Sequence, residues 1–223
     1  HNINLSGGSE NTKFTFATNY LKDDGIKINS GFERYAMDFK FQQKFFKTFT
    51  FDMDVRYSDV NIKGIDDTVT AKGSLLSSAF EFRPIDNPLG SGEATLLGMG
   101  EGNVNAGQSP VGITESLYSL TQKNRLRGNF ALTWTPIKGL SGRVEYDMGR
   151  NWGQNKYYDD GSVISGFSWT KGHKYAMLAK TTGKNWRFLT TINYDVQGLG
   201  NNHKLNFMVG NEEIKSSSEK LTV

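Results

Sequence analysis

The sequence predicts an all-β fold: an antiparallel transmembrane β-barrel segment of about eight strands, arranged as four hairpins. Three observations support this. Apolar and polar residues alternate in eight segments, short connections alternate with long ones, and aromatic residues gather near both ends of the predicted strands. Because successive side chains on a strand point to opposite faces, each predicted strand has one apolar and one polar face.

The clearest alternation lies in residues 47–59, KTFTFDMDVRYSD. Its apolar face carries Phe49, Phe51, Met53, Val55 and Tyr57. The residues between them are threonine, aspartate, arginine or serine. An apolar face of this kind packs on a protein core or contacts lipid, and the pattern of this segment alone leaves both possibilities open.

The other strands follow the same rule in pairs. Strands one and two are predicted around residues 3–5 and 14–20, and strand three precedes the segment above. Strands five and six flank TPIKG, and strands seven and eight flank GLGNNH. Strands three and five to eight present these apolar residues: Tyr35, Met37, Phe39, Phe41, Leu126, Phe130, Leu132, Trp134, Leu140, Val144, Tyr146, Met148, Phe188, Ile192, Tyr194, Leu205, Phe207 and Val209.

The connections between the predicted strands fall into two classes. Short turns are expected near residues 7–12, 43–48, 135–139 and 197–203, and long loops at 21–32, 59–122 and 149–185. Short and long connections therefore lie at opposite ends of the sheet. Transmembrane barrels have this asymmetry, with short periplasmic turns and long extracellular loops, although a soluble sandwich can also gather long loops at one end.

Aromatic residues lie near both ends of the apolar faces. Tyr20, Tyr35, Tyr57 and Tyr146 are expected near the long loops, and Trp134 and Tyr194 near the short turns. Amphipathic rings at two levels are typical of the two interfaces of a bilayer. Tyrosine is also common in strands of every kind, so the aromatics support the membrane interpretation without proving it.

The polar faces carry both signs of charge. A mixed row is expected on neighbouring strands: Asp38, Lys40, Asp52, Asp54, Arg56, Arg143, Glu145 and Asp147. Such a row suits the wet interior of a wide barrel or a solvated outer surface. It does not suit the dry interior of a small soluble barrel, because buried unpaired charge is costly.

Composition excludes several classes of function. The chain has no cysteine, which excludes disulfides and thiolate sites, and its three histidines lack metal-ligand spacing. A mean hydropathy of -0.52 excludes a helical membrane protein. The net charge of +3 is spread along the chain, so no nucleic-acid partner is expected. No cofactor, metal or enzymatic activity is expected.

Several stretches carry a resemblance to a known family. HNINLSGGSENTKF, NYLKDDGI and SGFERY resemble the first hairpin, first extracellular loop and third strand of the barrel in SusC/RagA TonB-dependent outer-membrane transporters. NRLRGNFALTWTPIKGLSGRVEYDMGR and INYDVQGLGNNHKLNFMVGNEE are similar to later hairpins of that family, in the same order. The resemblance implies that residues 1–223 form part of a barrel of about 22 strands, without its plug domain.

The resemblance also implies a function and partners. The intact protein would import oligosaccharides or oligopeptides across the bacterial outer membrane. It would contact membrane lipid, pair with a SusD-like surface lipoprotein and draw energy from a TonB complex. The TonB complex would be engaged through parts of the protein outside this chain, which begins without methionine and is expected to be a processed or excised piece.

Candidate substrate-binding residues are the aromatics of the predicted loop 149–185. Trp152, Tyr157, Tyr158 and Trp169 lie there among amides and carboxylates. Aromatic rings surrounded by polar groups suit sugars or peptides, because the rings contact the apolar side and the polar groups fix the orientation. The alternative is that these rings pack the loop against its neighbours.

Two other functions remain open at this stage. One is a self-contained eight-stranded outer-membrane barrel, which requires the first and last strands to pair. The other is a soluble carbohydrate-binding β-sandwich, in which a second sheet covers the apolar face.

Overall fold

The computed structural model describes residues 1–64, 75, 79–80, 110–161, 173–197, 203 and 205–223. Strands and one short helix make up most of the described chain. In chain order they are β1 (Asn2–Gly8), β2 (Thr12–Asp24), β3 (Gly31–Phe45), β4 (Phe49–Lys63), α1 (Pro110–Ser116), β5 (Leu117–Ile137), β6 (Leu140–Asp159), β7 (Tyr175–Asp195) and β8 (Asn206–Thr222).

The strands form a single eight-stranded antiparallel sheet in the order β1 to β8. Each strand pairs with its neighbours in the chain, so the predicted all-β class and the eight strands are confirmed. No helix among the described residues is long and apolar enough to cross a membrane.

The register aligns the apolar residues of neighbouring strands into rows. One row crosses six strands through Phe14, Phe41, Met53, Phe130, Tyr146 and Phe188. A shift of one residue in any pair would move a whole strand's apolar set to the other side, so the alternation itself fixes this register. We call the side that carries this row the apolar face and the opposite side the polar face.

The apolar face ends within β8. Phe207 and Val209 pair with Tyr194 and Ile192, but Glu213 stands opposite Phe188, where an apolar residue would continue the row. Strand β8 has exposed residues along its whole length and is an edge of the sheet. The continuous apolar face therefore extends from β2 to β7.

The strands run further than the alternation predicts. The predicted loops 21–32, 59–122 and 149–185 are shortened because β2 ends at Asp24, β4 at Lys63 and β6 at Asp159. The strands that follow these loops, β3, β5 and β7, likewise begin before the predicted loops end. Beyond the apolar stretch the apolar face continues with polar residues such as Asp59, Asn61 and Gln122, so the alternation weakens while the backbone pairing continues.

Two connections at the other end of the sheet are tight. Strands β5 and β6 are joined through Lys138 and Gly139, and Gly139 has a φ of 90°. A Cβ atom at Gly139 would lie 2.5 Å from the carbonyl oxygen of Asp195, so both the backbone conformation and the space require glycine. The β3–β4 turn places Phe46 and Lys47 in the left-handed region, with φ of 52° and 56°.

The small buried core lies at the end of the sheet that carries the long connections. Helix α1 contributes Ile113, which is 1% exposed and packs with Leu117 of β5 and Tyr157 of β6. Leu75 and Met177 pack against this cluster. The core therefore fixes loop segments onto the sheet and does not fill the space beside either face.

Candidate functional site

The apolar face has an aromatic boundary at the end that carries the tight turns. Phe45, Phe49 and Trp134 stack in succession, with ring centroids 6.0 and 6.2 Å apart. On β4 the apolar stretch runs from Phe49 to Tyr57, which matches the roughly 9–11 residues that a tilted strand needs to cross a bilayer.

A second aromatic boundary lies at the opposite end. Tyr20 and Tyr35 have ring centroids 4.6 Å apart, and Tyr57 lies 6.3 Å from Trp152. The Arg150 guanidinium stands over the Trp152 ring at 5.7 Å. Tyr146, which the sequence placed at this boundary, instead pairs with Phe130 and Phe188 in the middle of the apolar face.

Beyond this boundary the apolar face gives way to amides. Asn124 accepts a hydrogen bond from the Tyr57 hydroxyl at 3.1 Å, and Asn61 accepts one from Gln122 at 3.0 Å. Gln154 donates to Gln122 in the next strand. This change from rings to amides marks where a lipid-facing surface would enter the headgroup region and then water.

The polar face carries a ladder of ion pairs at the level of the apolar stretch, and we call it the ion-pair belt. Four of its side chains are basic and six are acidic. In chain order they are Asp38, Lys40, Asp52, Asp54, Arg56, Arg143, Glu145, Asp147, Arg187 and Glu212.

Contacts within the belt form two groups, one between β3 and β4 and the other from β4 through β6 and β7 to β8. Arg187 lies 2.7 Å from Glu145, 2.6 Å from Asp147 and 3.4 Å from Glu212. Arg143 lies 2.9 Å from Glu145 and 3.6 Å from Asp52. The belt pairs each of its basic side chains with at least one carboxylate and joins side chains of β3, β4, β6, β7 and β8, so its geometry indicates a structural role.

A depression of about 670 Å³ lies on the polar face next to the belt, toward the long connections. Its polar and charged lining includes Lys123, Arg125, Asn151, Asn155, Thr181 and Lys220. None of the described residues that line it is acidic. We call Lys123, Arg125 and Lys220 the basic patch.

Sequence reasoning found only part of the basic patch. Arg125 stands on the polar face of a predicted strand. Lys123 lies at the boundary between the predicted loop 59–122 and that strand, and Lys220 lies beyond the last predicted strand. The structure brings them together because β5 begins at Leu117 and β8 continues to Thr222. One feature of the sequence could have indicated the basic patch. Lys123, Arg125 and Arg127 alternate along the chain and therefore share one face of a strand.

The four predicted substrate-binding aromatics do not form one cluster. Trp152 and Tyr158 lie on β6 and on the same side as the apolar face, whereas Tyr157 points the other way and is 7% exposed. Their placement in a loop was therefore wrong for these three. Trp169 lies outside the described residues, and contact of any of the four with a ligand stays a prediction.

Metal chemistry finds no support in the described part of the chain. No group of three or more histidine, aspartate or glutamate side chains there could hold a metal ion. Asp159 is fully buried, and its carboxylate accepts a hydrogen bond from the Gly161 amide at 2.9 Å, which stabilises the turn after β6.

A continuous antiparallel sheet, an apolar face with aromatic boundaries and a charged opposite face together define a segment of a membrane-spanning β-barrel. Comparison with known proteins supports this class. No protein-family model matches the chain. TonB-dependent receptor P3 from Formosa agariphila is 26% identical over 149 residues, which are 64% of this chain and 14% of the receptor.

Solved structures of the RagAB transporter share the fold. The RagAB peptide importer in its closed-closed state matches with a TM-score of 0.73 and 16% identity, over 98% of this chain and 25% of the solved one. The open-open state matches with a TM-score of 0.74 and the same coverage.

The chain thus spans about a quarter of the solved chains and a smaller share of the curated relative. The resemblance to SusC/RagA TonB-dependent transporters that the sequence predicts is confirmed, and the chain has the fold of a segment of such a barrel. The predicted outer-membrane location is confirmed by the same matches. By name the matched proteins are a receptor and an importer, not enzymes.

Proposed function

We propose that residues 1–223 form part of the barrel wall of a TonB-dependent outer-membrane importer of oligosaccharides or oligopeptides. The observation that carries this proposal is the sheet with two different faces. Its apolar face, bounded by aromatics from Phe49 to Tyr57, suits lipid, and its charged polar face suits a water-filled lumen. The chain itself has no catalytic role in this proposal.

The partners follow from the same proposal. A SusD-like surface lipoprotein would cover the end of the barrel that carries the long connections, and a TonB complex would act through parts of the protein outside this chain. The RagAB structures, described as a peptide importer, support a cargo of peptide size, whereas the resemblance to SusC/RagA transporters also admits oligosaccharides.

The two alternative functions fit the sheet less well. A self-contained eight-stranded barrel needs β1 to pair with β8, but these strands are the two edges of the sheet. A β-sandwich needs a second sheet over the apolar face, and the described residues form one sheet. An open edge in lipid leaves backbone groups unpaired, so further strands are expected to continue the sheet in the intact protein.

Uptake by cells tests the proposed function. We expect a strain without the full-length gene to lose uptake of labelled oligosaccharides or oligopeptides, and plasmid-borne expression to restore it. A protonophore should abolish the restored uptake, because TonB transmits energy from the inner-membrane proton gradient. In fractionated cells, an antibody against this segment should detect an outer-membrane band far heavier than 24.9 kDa.

Two outcomes would contradict the proposal. One is a 24.9 kDa band in a soluble fraction, which would place the apolar face against a protein core. The other is undiminished uptake of both classes of oligomer in the deletion strain.

A further inference from the structure

We propose that the basic patch is a subsite for carboxylate or sulfate groups of the imported oligomer, so that the substrate is anionic. This inference rests on the proposed function and narrows its substrate class. It starts from a difference in charge compensation. In the described part of the chain, Lys123, Arg125 and Lys220 form no ion pair, although they line one depression.

The spacing of the patch suits an extended ligand. Lys123 and Lys220 lie at the two ends of one row of paired residues that crosses four strands. The residues between them in this row are Gly153 and Thr181. At about 4.8 Å between strands, their backbones lie roughly 14 Å apart. That distance accommodates about four residues of an extended peptide, or more than one charged unit of an oligosaccharide.

The surface between the two lysines is lined by small residues. A Cβ atom at Gly153 would lie 2.3 Å from the carbonyl oxygen of Gln122, so a side chain at this position would require the strands to move. Thr181 and Ala179 continue the lining with small side chains. A ligand could therefore lie along the row within reach of both lysines.

Neighbouring amides orient the patch and add hydrogen-bonding capacity. The Arg125 Nε atom donates to Asn151 Oδ1 at 3.1 Å, which leaves the two terminal nitrogens of the guanidinium for a carboxylate or sulfate. Asn155 Oδ1 is buried without a hydrogen-bond partner among the described residues. A hydroxyl or amide of a bound oligomer would satisfy this acceptor.

Matched ligands test the inference in the full-length protein, purified from outer membranes with any lipoprotein that accompanies it. The probes are three labelled pairs: oligogalacturonate and its methyl ester, a sulfated oligosaccharide and its desulfated form, and a glutamate-rich peptide and its glutamine counterpart. We expect the anionic member of one pair to bind more tightly, with an affinity that falls as salt rises. The pair that responds identifies the source of the charge.

Two triple variants distinguish an effect of the basic patch on binding from a general effect of positive charge on the protein. Lys123→Gln/Arg125→Gln/Lys220→Gln should weaken binding of that anionic probe about tenfold, because each exposed ion pair contributes a few-fold. Binding of the neutral probe should not change. The control, Lys63→Gln/Lys156→Gln/Lys180→Gln, removes three positive charges at a similar level on the opposite side of the sheet and should leave both affinities unchanged.

The outcomes distinguish the two proposals. Unchanged affinity for the anionic probe in the patch variant, or equal affinity for the neutral and charged members of every pair, would overturn the anionic subsite and leave the import function standing. If the native protein, folded as judged by its heat-modifiable mobility on gels, binds none of the six probes, the anionic subsite is overturned, and the uptake assay with the deletion strain decides the import function separately.

Discussion

The ion-pair belt and the basic patch share the polar face of one sheet, yet they differ in whether their basic side chains are paired with carboxylates. In the belt, Arg187 contacts three carboxylates within 3.4 Å. In the patch, Arg125 has an asparagine as its side-chain partner. Charge that is compensated within the protein stabilises the wall, whereas charge left uncompensated beside a depression is available to a ligand.

The two regions also differ in the residues that lie behind them, on the opposite side of the sheet. Behind the belt the sheet presents the row that includes Met53 and Phe130, whereas behind the patch it presents Gln122 and Gln154. The belt thus lies at membrane depth and the patch lies beyond it. This difference predicts three effects, of decreasing size.

The largest effect is expected from placing a charge on the apolar face at the level of the belt. Met53→Arg should destabilise the full-length barrel by about 2–4 kcal/mol, the cost of an arginine facing lipid at the bilayer midplane. Unfolding by denaturant in lipid vesicles measures this loss. Gln42→Arg is the control, because Gln42 lies at a similar level on the polar face and donates to Asp52 at 2.7 Å. Equal losses in the two variants would contradict the assignment of lipid to the apolar face.

A smaller effect is expected from breaking the belt. Arg187→Met removes the partner that Glu145, Asp147 and Glu212 share, so the temperature at which the barrel loses its heat-modifiable mobility on gels should fall by a few degrees. Arg125→Met, in the patch, should leave that temperature unchanged. If both variants lose the same stability, the belt and the patch do not differ as proposed.

The smallest effect is expected at the aromatic boundary between the two regions. Trp152→Ala removes a ring that contacts Tyr57 and Arg150, so insertion into the outer membrane should become slightly less efficient while uptake per inserted molecule stays the same. Uptake assays normalised to surface-exposed protein measure this. A specific loss of uptake would instead support the untested prediction that Trp152 contacts the substrate.

Much of the fold could be predicted from the sequence. Phe49 to Tyr57 alternate without interruption, and a period of two admits only a strand with one apolar face. Glycine at position 139 and the short TPIKG stretch located a tight turn. The mixed charges from Asp52 to Arg56 and from Arg143 to Asp147 were assigned to the polar face, where they form the belt.

The sequence did not locate the strand ends or the candidate site, because hydrophobic alternation reports burial on one face and nothing more. Past Tyr57 on β4 and past Met148 on β6 the apolar signal weakens, so Trp152 and Tyr157 were read as loop residues. The strands continue to pair there at residues with amide side chains, such as Gln122 and Gln154. A periodicity of hydrophobic residues cannot reveal this pairing.

By itself, then, the sequence determined that strands with one apolar and one polar face form hairpins in chain order, since these follow from local alternation and turn residues. The tertiary structure decided which side chains meet. Lys123 and Lys220 are far apart in the chain and share one row only because three strand pairings in register connect them. Register accumulates across a sheet, and a site built from several strands therefore exists only once all of them have paired.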